Sequence, residues 1–133
     1  MYEMKPEYFT GIKTIDQEHE KLFELAQETY NLLYNDLLQD KTDALINLIS
    51  ELINYTRTHF SHEEAYQKSI NYAHRDLHMA QHRKFEDKLL EFDFDSIGDD
   101  SETQNETVEN LLDFLTGWLI NHIQKVDMLF VNY

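Results

Sequence analysis

Seven histidines and no cysteine stand in a chain of 133 residues. His59 and Glu63 are four residues apart, as are His78 and His82. His122 precedes Asp127 by five, and His19 stands alone near the start. On a helix, positions i and i+4 differ by about 40°, so both members of each four-residue pair leave the same face. His122 and Asp127 differ by about 140°. That is too splayed for two ligands of an ideal helix to reach one point, which predicts a loosened last turn or a π-bulge near Asp127. Imidazoles and carboxylates gathered in this way are metal ligands by chemistry.

The elements that must position these residues follow from the apolar spacing. Residues 1–12 read as an aromatic N-terminal arm. A first helix begins near Asp16, with His19, Leu22, Leu25/Ala26, Leu33 and Leu37 on one face. A break at Gln39-Asp40-Lys41 follows, where Asp40 or Thr42 can cap the next helix. The second helix carries Leu45, Leu48/Ile49, Leu52, Tyr55/Thr56, His59, Glu63, Tyr66 and Ile70 inward. The third runs from about His74 to Phe92, with His78, His82, Phe85, Leu89 and Phe92 on its face. The acidic stretch Asp93–Ser101 reads as a loop. The last helix starts near Glu102 and carries Val108, Leu111/Leu112, Leu115, Trp118/Leu119, His122, Val126 and Leu129/Phe130. Three Gly and one Pro are about 3% of the chain, against roughly 12% in average usage, so a turn-rich β fold is excluded. The reading is all-α: one domain over residues 1–133, an arm (1–12) followed by an up-down-up-down four-helix bundle (13–133) with a metal centre in its core.

Every predicted helix thus brings ligand-type residues to its apolar stripe. A single inward His is ordinarily a core histidine satisfied by hydrogen bonds. Two i, i+4 pairs on two helices, with two further inward His and a second inward acid, favour a shared metal, because unpartnered buried polar groups cost several kcal/mol each. Five imidazoles and two bridging carboxylates supply about nine metal–ligand bonds. A bridging oxo or hydroxo raises that to about eleven of the twelve positions of two octahedra. One Zn needs only four ligands, and Mg or Ca prefers oxygen donors. The donor set points to a di-iron centre with one open position.

The pattern His19, then His59-Phe60-Ser61-His62-Glu63, then His78-Met79-Ala80-Gln81-His82, then His122 to Asp127 resembles the hemerythrin family's H…HxxxE…HxxxH…HxxxxD. Gly11-Ile12, Ile15-Asp16, Leu22-Phe23, Glu63-Glu64, Tyr72 and Trp118-Leu119 agree with it as well, and the length suits a stand-alone bacterial member. The resemblance implies that His78, His82 and His122 hold one iron (Fe2+/Fe3+), that His19 and His59 hold a second with an open position for O2, and that Glu63 and Asp127 bridge. It further implies an O2 pocket lined by Leu22, Phe60, Trp118, Leu119 and Ile123. Trp118 lies one turn before His122, which agrees with that placement; plain core packing is the other reading of those five residues. The chain departs from common members at Tyr8-Phe9, Gln67, Ala73 and the tail after Asp127.

Asp16 and His74 each sit one turn before a ligand-type His and are candidates to orient it. The alternatives are capping for Asp16, and a surface or capping role for His74. His62 reads as peripheral. The acids between Asp93 and Glu102 lack the Gly placement and bidentate Glu of a Ca loop and read as a solvated surface. A net charge of −15 leaves no cationic footprint for nucleic acid or an anionic membrane. No apolar run reaches a membrane span, and the start is neither a signal peptide nor a lipidation site. These features give an expectation of a soluble, cytoplasmic monomer that binds O2 reversibly for storage, delivery or protection, is no enzyme, and passes O2 at most to a weakly bound partner protein. The alternatives are a di-iron enzyme or repair factor acting on peroxide, nitric oxide or damaged iron–sulfur centres, and an O2 or redox-sensing interaction module.

Overall fold

The computed structural model describes residues 2–35, 40–92 and 101–124. A 3₁₀ turn, Pro6–Tyr8, precedes four helices: α1 (Lys13–Leu33), α2 (Thr42–Ser69), α3 (Arg75–Leu89) and α4 (Ser101–His122). Their pairings fix the topology. His19 near the start of α1 meets Glu63 late in α2, and Gln67 at the end of α2 meets His78 at the start of α3. Phe85 late in α3 stacks on Phe114 in α4, and Tyr34 just after α1 bonds Glu109 early in α4. Each helix therefore runs antiparallel to its neighbours, in the up-down-up-down order the apolar spacing predicts.

α2 runs 28 residues, about 42 Å, without an interior Gly or Pro. Its inward face holds Leu45, Ile49, Leu52, Thr56, His59, Phe60, Glu63, Glu64 and Gln67. The predicted stripe had Tyr66 and Ile70 inward. In the structure both are only half-buried, and Gln67, four residues after Glu63, takes the inward position. Thr56 donates to the Leu52 carbonyl (2.8 Å), so its hydroxyl costs the core nothing. Asp40 Oδ1 accepts from the Thr42 N–H (3.0 Å) just ahead of α2. Leu37 and Gln39 lie outside the described residues, as do the predicted loop from Asp93 to Asp100 and the tail positions Val126, Leu129 and Phe130. The main core joins Leu22, Phe23, Leu25, Leu52, Phe60, Phe85, Leu111, Leu112 and Leu119. Truncating any of its fully buried phenylalanines (Phe23, Phe60, Phe85) to Ala costs about 3–5 kcal/mol.

The arm is part of the core. Tyr8 stacks on Phe23 (5.8 Å between centroids, 18°), and Tyr2 meets Tyr30 edge-on while its hydroxyl donates to Asp113 (2.9 Å). Burial and the Asp113 contact both push the Tyr2 phenol above its ordinary range. Asp16 does not orient His19: its carboxylate accepts from the Thr10 N–H and hydroxyl (both 2.7 Å) and the Gly11 N–H (3.0 Å). It ties the arm to α1. Gly11 there has φ +87°, a left-handed conformation that a side chain would strain.

α2 ends in a paired-bond cap. Asn71 is left-handed (φ 53°), its N–H donates to the Lys68 carbonyl (3.2 Å), and the Tyr72 N–H donates to the Gln67 carbonyl (2.9 Å). This turn reverses the chain and sets the register of α3, so that His78 comes down beside Gln67. Replacing Asn71 by Gly leaves stability unchanged or slightly raised, whereas Asn71→Val costs at least about 1–2 kcal/mol, read from urea midpoints at constant m-value.

Candidate metal centre

Six of the seven residues predicted as ligands come together, one or two from each helix. Asp127 lies outside the described residues. His19 comes from α1, His59 and Glu63 from α2, His78 and His82 from α3, and His122 from the last turn of α4, and all six are buried. The i, i+4 spacing explains why both α2 groups and both α3 groups face inward. Beyond His122 the helix passes into a π-helical turn at Ile123 and Gln124. Such a widened turn shifts the angle at which following residues leave the helix.

The Glu63 carboxylate lies at the middle. Its Oε1 faces three imidazoles: His78 Nε2 at 2.8 Å, His82 Nε2 at 3.2 Å and His122 Nε2 at 3.9 Å. Its Oε2 faces two: His59 Nε2 at 3.2 Å and His19 Nε2 at 3.8 Å. Two donor groups result, Glu63 with His78, His82 and His122, and Glu63 with His19 and His59. Burial alone would push the Glu63 carboxyl up. Protons shared by the imidazoles of His122, His19, His59 and His78 outweigh burial and hold it well below the usual carboxylate range; where those rings are neutral with lone pairs inward, a bound cation has to take that part.

A second ring of contacts fixes the imidazoles from behind. His59 Nδ1 lies 3.1 Å from Glu18 Oε1, and His82 Nδ1 lies 2.6 Å from Glu64 Oε2. A carboxylate only accepts, so in the neutral rings both Nδ1 atoms carry the proton, and the Nε2 lone pairs of His59 and His82 point at the Glu63 anion. His78 Nδ1 lies 2.6 Å from the Gln67 amide. Gln67 Oε1 is buried and has no hydrogen-bond partner; turning the amide lets it accept from His78 Nδ1–H. Glu64 also pairs with Arg83, and Arg75 Nε donates to its backbone carbonyl (2.8 Å). Burial would push the Glu18 carboxyl up, but its bonds to His59 and His62 prevail and lower it. Burial, then the Glu18 charge, raises the neighbouring Tyr55 phenol.

Lone pairs converging on a buried anion repel unless a cation lies among them. Neither Glu63 oxygen receives a contact of hydrogen-bond geometry, despite the five close nitrogens. A buried charge left so would cost several kcal/mol. Three imidazole nitrogens on one face of an octahedral ion, each at about 2.1 Å, stand about 3.0 Å apart. His78 and His82 Nε2 lie 2.7 and 3.2 Å from His122 Nε2. Donor chemistry, spacing and the orphaned carboxylate all fit a pair of transition-metal ions.

Of the predicted pocket residues, Leu22, Phe60, Leu119 and Ile123 are buried and Trp118 is half-buried. Phe60 stacks flat on His82 (3.9 Å, 3°) and Trp118 on His122 (4.3 Å, 13°), while Phe85 stacks behind Trp118 (4.1 Å). These rings cover the three-His group. His74 is exposed and packs edge-on against Tyr72, so it does not support His78. Gln67 supports His78 in its stead, as Glu18 supports His59 and Glu64 supports His82. Gln67 continues the His59–Glu63 stripe by four residues, and Glu18 and Glu64 are each next to a ligand-type residue. That adjacency marks them in the sequence, and Glu64 also falls in the Glu63-Glu64 pair that agrees with the family pattern. His62 is exposed yet hydrogen-bonds the same Glu18 carboxylate that supports His59.

Comparison with known proteins agrees with this geometry. Residues 10–133 match the family described as hemerythrin HHE cation binding domain. The chain is 37% identical to the Bacteriohemerythrin of Clostridium acetobutylicum, over 99% of this chain and all of that protein. It is 30% identical to the Bacteriohemerythrin of Pseudomonas aeruginosa strain PAO1 (92% of this chain, 74% of that one) and 26% identical to that of Methylococcus capsulatus (93% and 88%). No solved structure matches. Among the described residues no helix is long and apolar enough to cross a membrane.

Removing a hydrogen-bond partner from behind a ligand ring weakens metal binding without removing a donor. Glu64→Gln lowers the affinity of the three-His group by about 10–100-fold and Glu18→Gln does the same for the two-His group, measured by chelator competition. Because the imidazoles bind only as neutral rings, protons compete with metal at both groups, and the affinity measured by chelator competition falls as the pH is lowered.

Proposed function

From the premise that the chain belongs to the hemerythrin family, we propose that it binds O2 reversibly at a non-haem di-iron centre and is no enzyme. The single observation that carries this is the Glu63 carboxylate, with three imidazoles on one oxygen and two on the other. In this reading His78, His82 and His122 would hold one iron, His19 and His59 the other, and Glu63 and Asp127 would be shared between them. His19 and His59 offer fewer donors than the three-His side, which would leave room there for O2. The metal pair supplies two electrons and a polarising charge when bound.

The protein's part is to hold this donor set and keep it dry. Glu18, Gln67 and Glu64 lock the rings of His59, His78 and His82 with Nε2 inward. Arg83 balances the charge of Glu64, so that support adds little net negative potential. Phe60 and Trp118 pack over His82 and His122 and deny water the faces of those rings. Five imidazoles with two carboxylates form a less anionic set than the four acids and two His of O2-activating di-iron bundles. A less anionic set stabilises high-valent iron less, which favours holding O2 over splitting it. Storage, delivery and protection are all served by this chemistry.

Anaerobic loading with Fe(II), admission of air and then removal of O2 tests the proposal. A visible charge-transfer band should appear and vanish over repeated cycles. A band that never forms, or forms once and stays, contradicts it. His59→Ala should keep metal in the three-His group and lose the reversible band.

A further inference from the structure

The donor groups of the centre are sealed, with every described ligand-type side chain buried, so metal needs a route in from the surface. Among the described residues, the carboxylates of Glu18 and Glu64 lie between ligand rings and the surface. Glu64, behind His82, is covered on its outer side by the Arg83 guanidinium, a fixed cation that repels an incoming metal ion. Glu18, behind His59, is covered instead by His62, whose side chain is 60% exposed and whose ring can offer a lone pair. Glu18 divides its oxygens between the two rings, Oε1 to buried His59 and Oε2 to exposed His62. Beside them opens a groove of about 480 Å³, lined by Thr14, Ile15, Gln17, Glu18, Tyr55, His62 and Tyr66. Its lining carries no Lys or Arg.

We propose that His62 and Glu18 form a surface capture site for a divalent transition-metal ion, from which the two-His half of the centre (His19, His59, Glu63) is loaded. This rests on the metal-centre reading given above. An ion that displaces the proton between His62 Nδ1 and Glu18 Oε2, which passes to water, takes an imidazole and a carboxylate together, a pair that suits a first-row divalent ion whose other positions keep water. Glu18 then has a second role besides holding His59: it is shared between the surface ligand and the inner one, so an ion held outside is already in contact with the support of an inner ligand. The negative charge of the chain as a whole draws cations toward the groove and favours fast capture.

Stopped-flow loading of the metal-free full chain with anaerobic Fe(II), and separately with Co(II), is followed by quenching of Trp118, which lies beside the three-His half, and by growth of metal absorbance; the phase lost in His59→Ala is that of the two-His half. His62→Ala should slow the loading phase of the two-His half at least about threefold while the final metal count stays at the wild-type value. Gln17→Lys, which puts a cation at the mouth of the groove, should slow it about two- to threefold, and the slowing should shrink as salt rises. Asn47→Lys, an exposed position near the far end of α2, should not slow it. Equal loading rates in wild type, His62→Ala and Gln17→Lys, with full metal counts in all, overturn the capture site and leave the metal centre standing. A wild-type chain that takes up no metal overturns both.

Discussion

A buried carboxylate shared by five imidazoles is the constraint on which the rest depends. An anion at the centre of a helical bundle is costly unless cations and oriented donors surround it. Here Glu63 turns one oxygen to each set of rings, so a single side chain divides the donor set into a three-His half and a two-His half. Metal ions in both halves turn the least favourable group of the apo core into its strongest link. Binding energy is then also folding energy, because all four helices contribute donors to the same centre.

The bundle serves this by holding register rather than by size of core. The left-handed Asn71 cap sets α3 against α2 within a single turn, which decides whether His78 and His82 meet Glu63 or miss it by a residue. The arm, tied by Asp16 to α1 and packed through Tyr2 and Tyr8 on the helices, steadies the element that carries Glu18 and His19. The aromatic rings of Phe60, Phe85 and Trp118 fill the space beside the three-His group and fix His82 and His122 by flat stacking. The support from behind is asymmetric: Glu64 comes with Arg83, while Glu18 comes with an exposed imidazole, His62. That asymmetry separates a closed side of the centre from a side open to metal.

Much of this was legible in the residues because helical periodicity is local. The four-residue spacing of His59 with Glu63 and of His78 with His82 specifies a shared face whatever the rest of the fold does, and the scarcity of Gly and Pro left long helices as the only economical architecture. What was not legible depends on contacts between helices. Asp16 lies one turn before His19, yet its oxygens go to Thr10 and Gly11, because the arm folds back over the start of α1. Positions three and four residues after Glu63 are both near its face, so Tyr66 and Gln67 compete for the inward place; Gln67 takes it because the contact with His78 on the next helix is there to be made. His74 has the spacing to support His78, but it precedes the first turn of α3, where the chain is still turning outward.

The central claim is that Glu63 joins two metal ions into one electronic unit. The most direct measurement is electron paramagnetic resonance of the fully iron-loaded, oxidised chain, taken with an iron count. Two irons per chain and almost no signal from isolated ferric ions are expected, because two closely bridged ferric ions couple and their spins cancel. A full-intensity signal from isolated high-spin Fe(III), or a count that stops at one iron per chain, would contradict it.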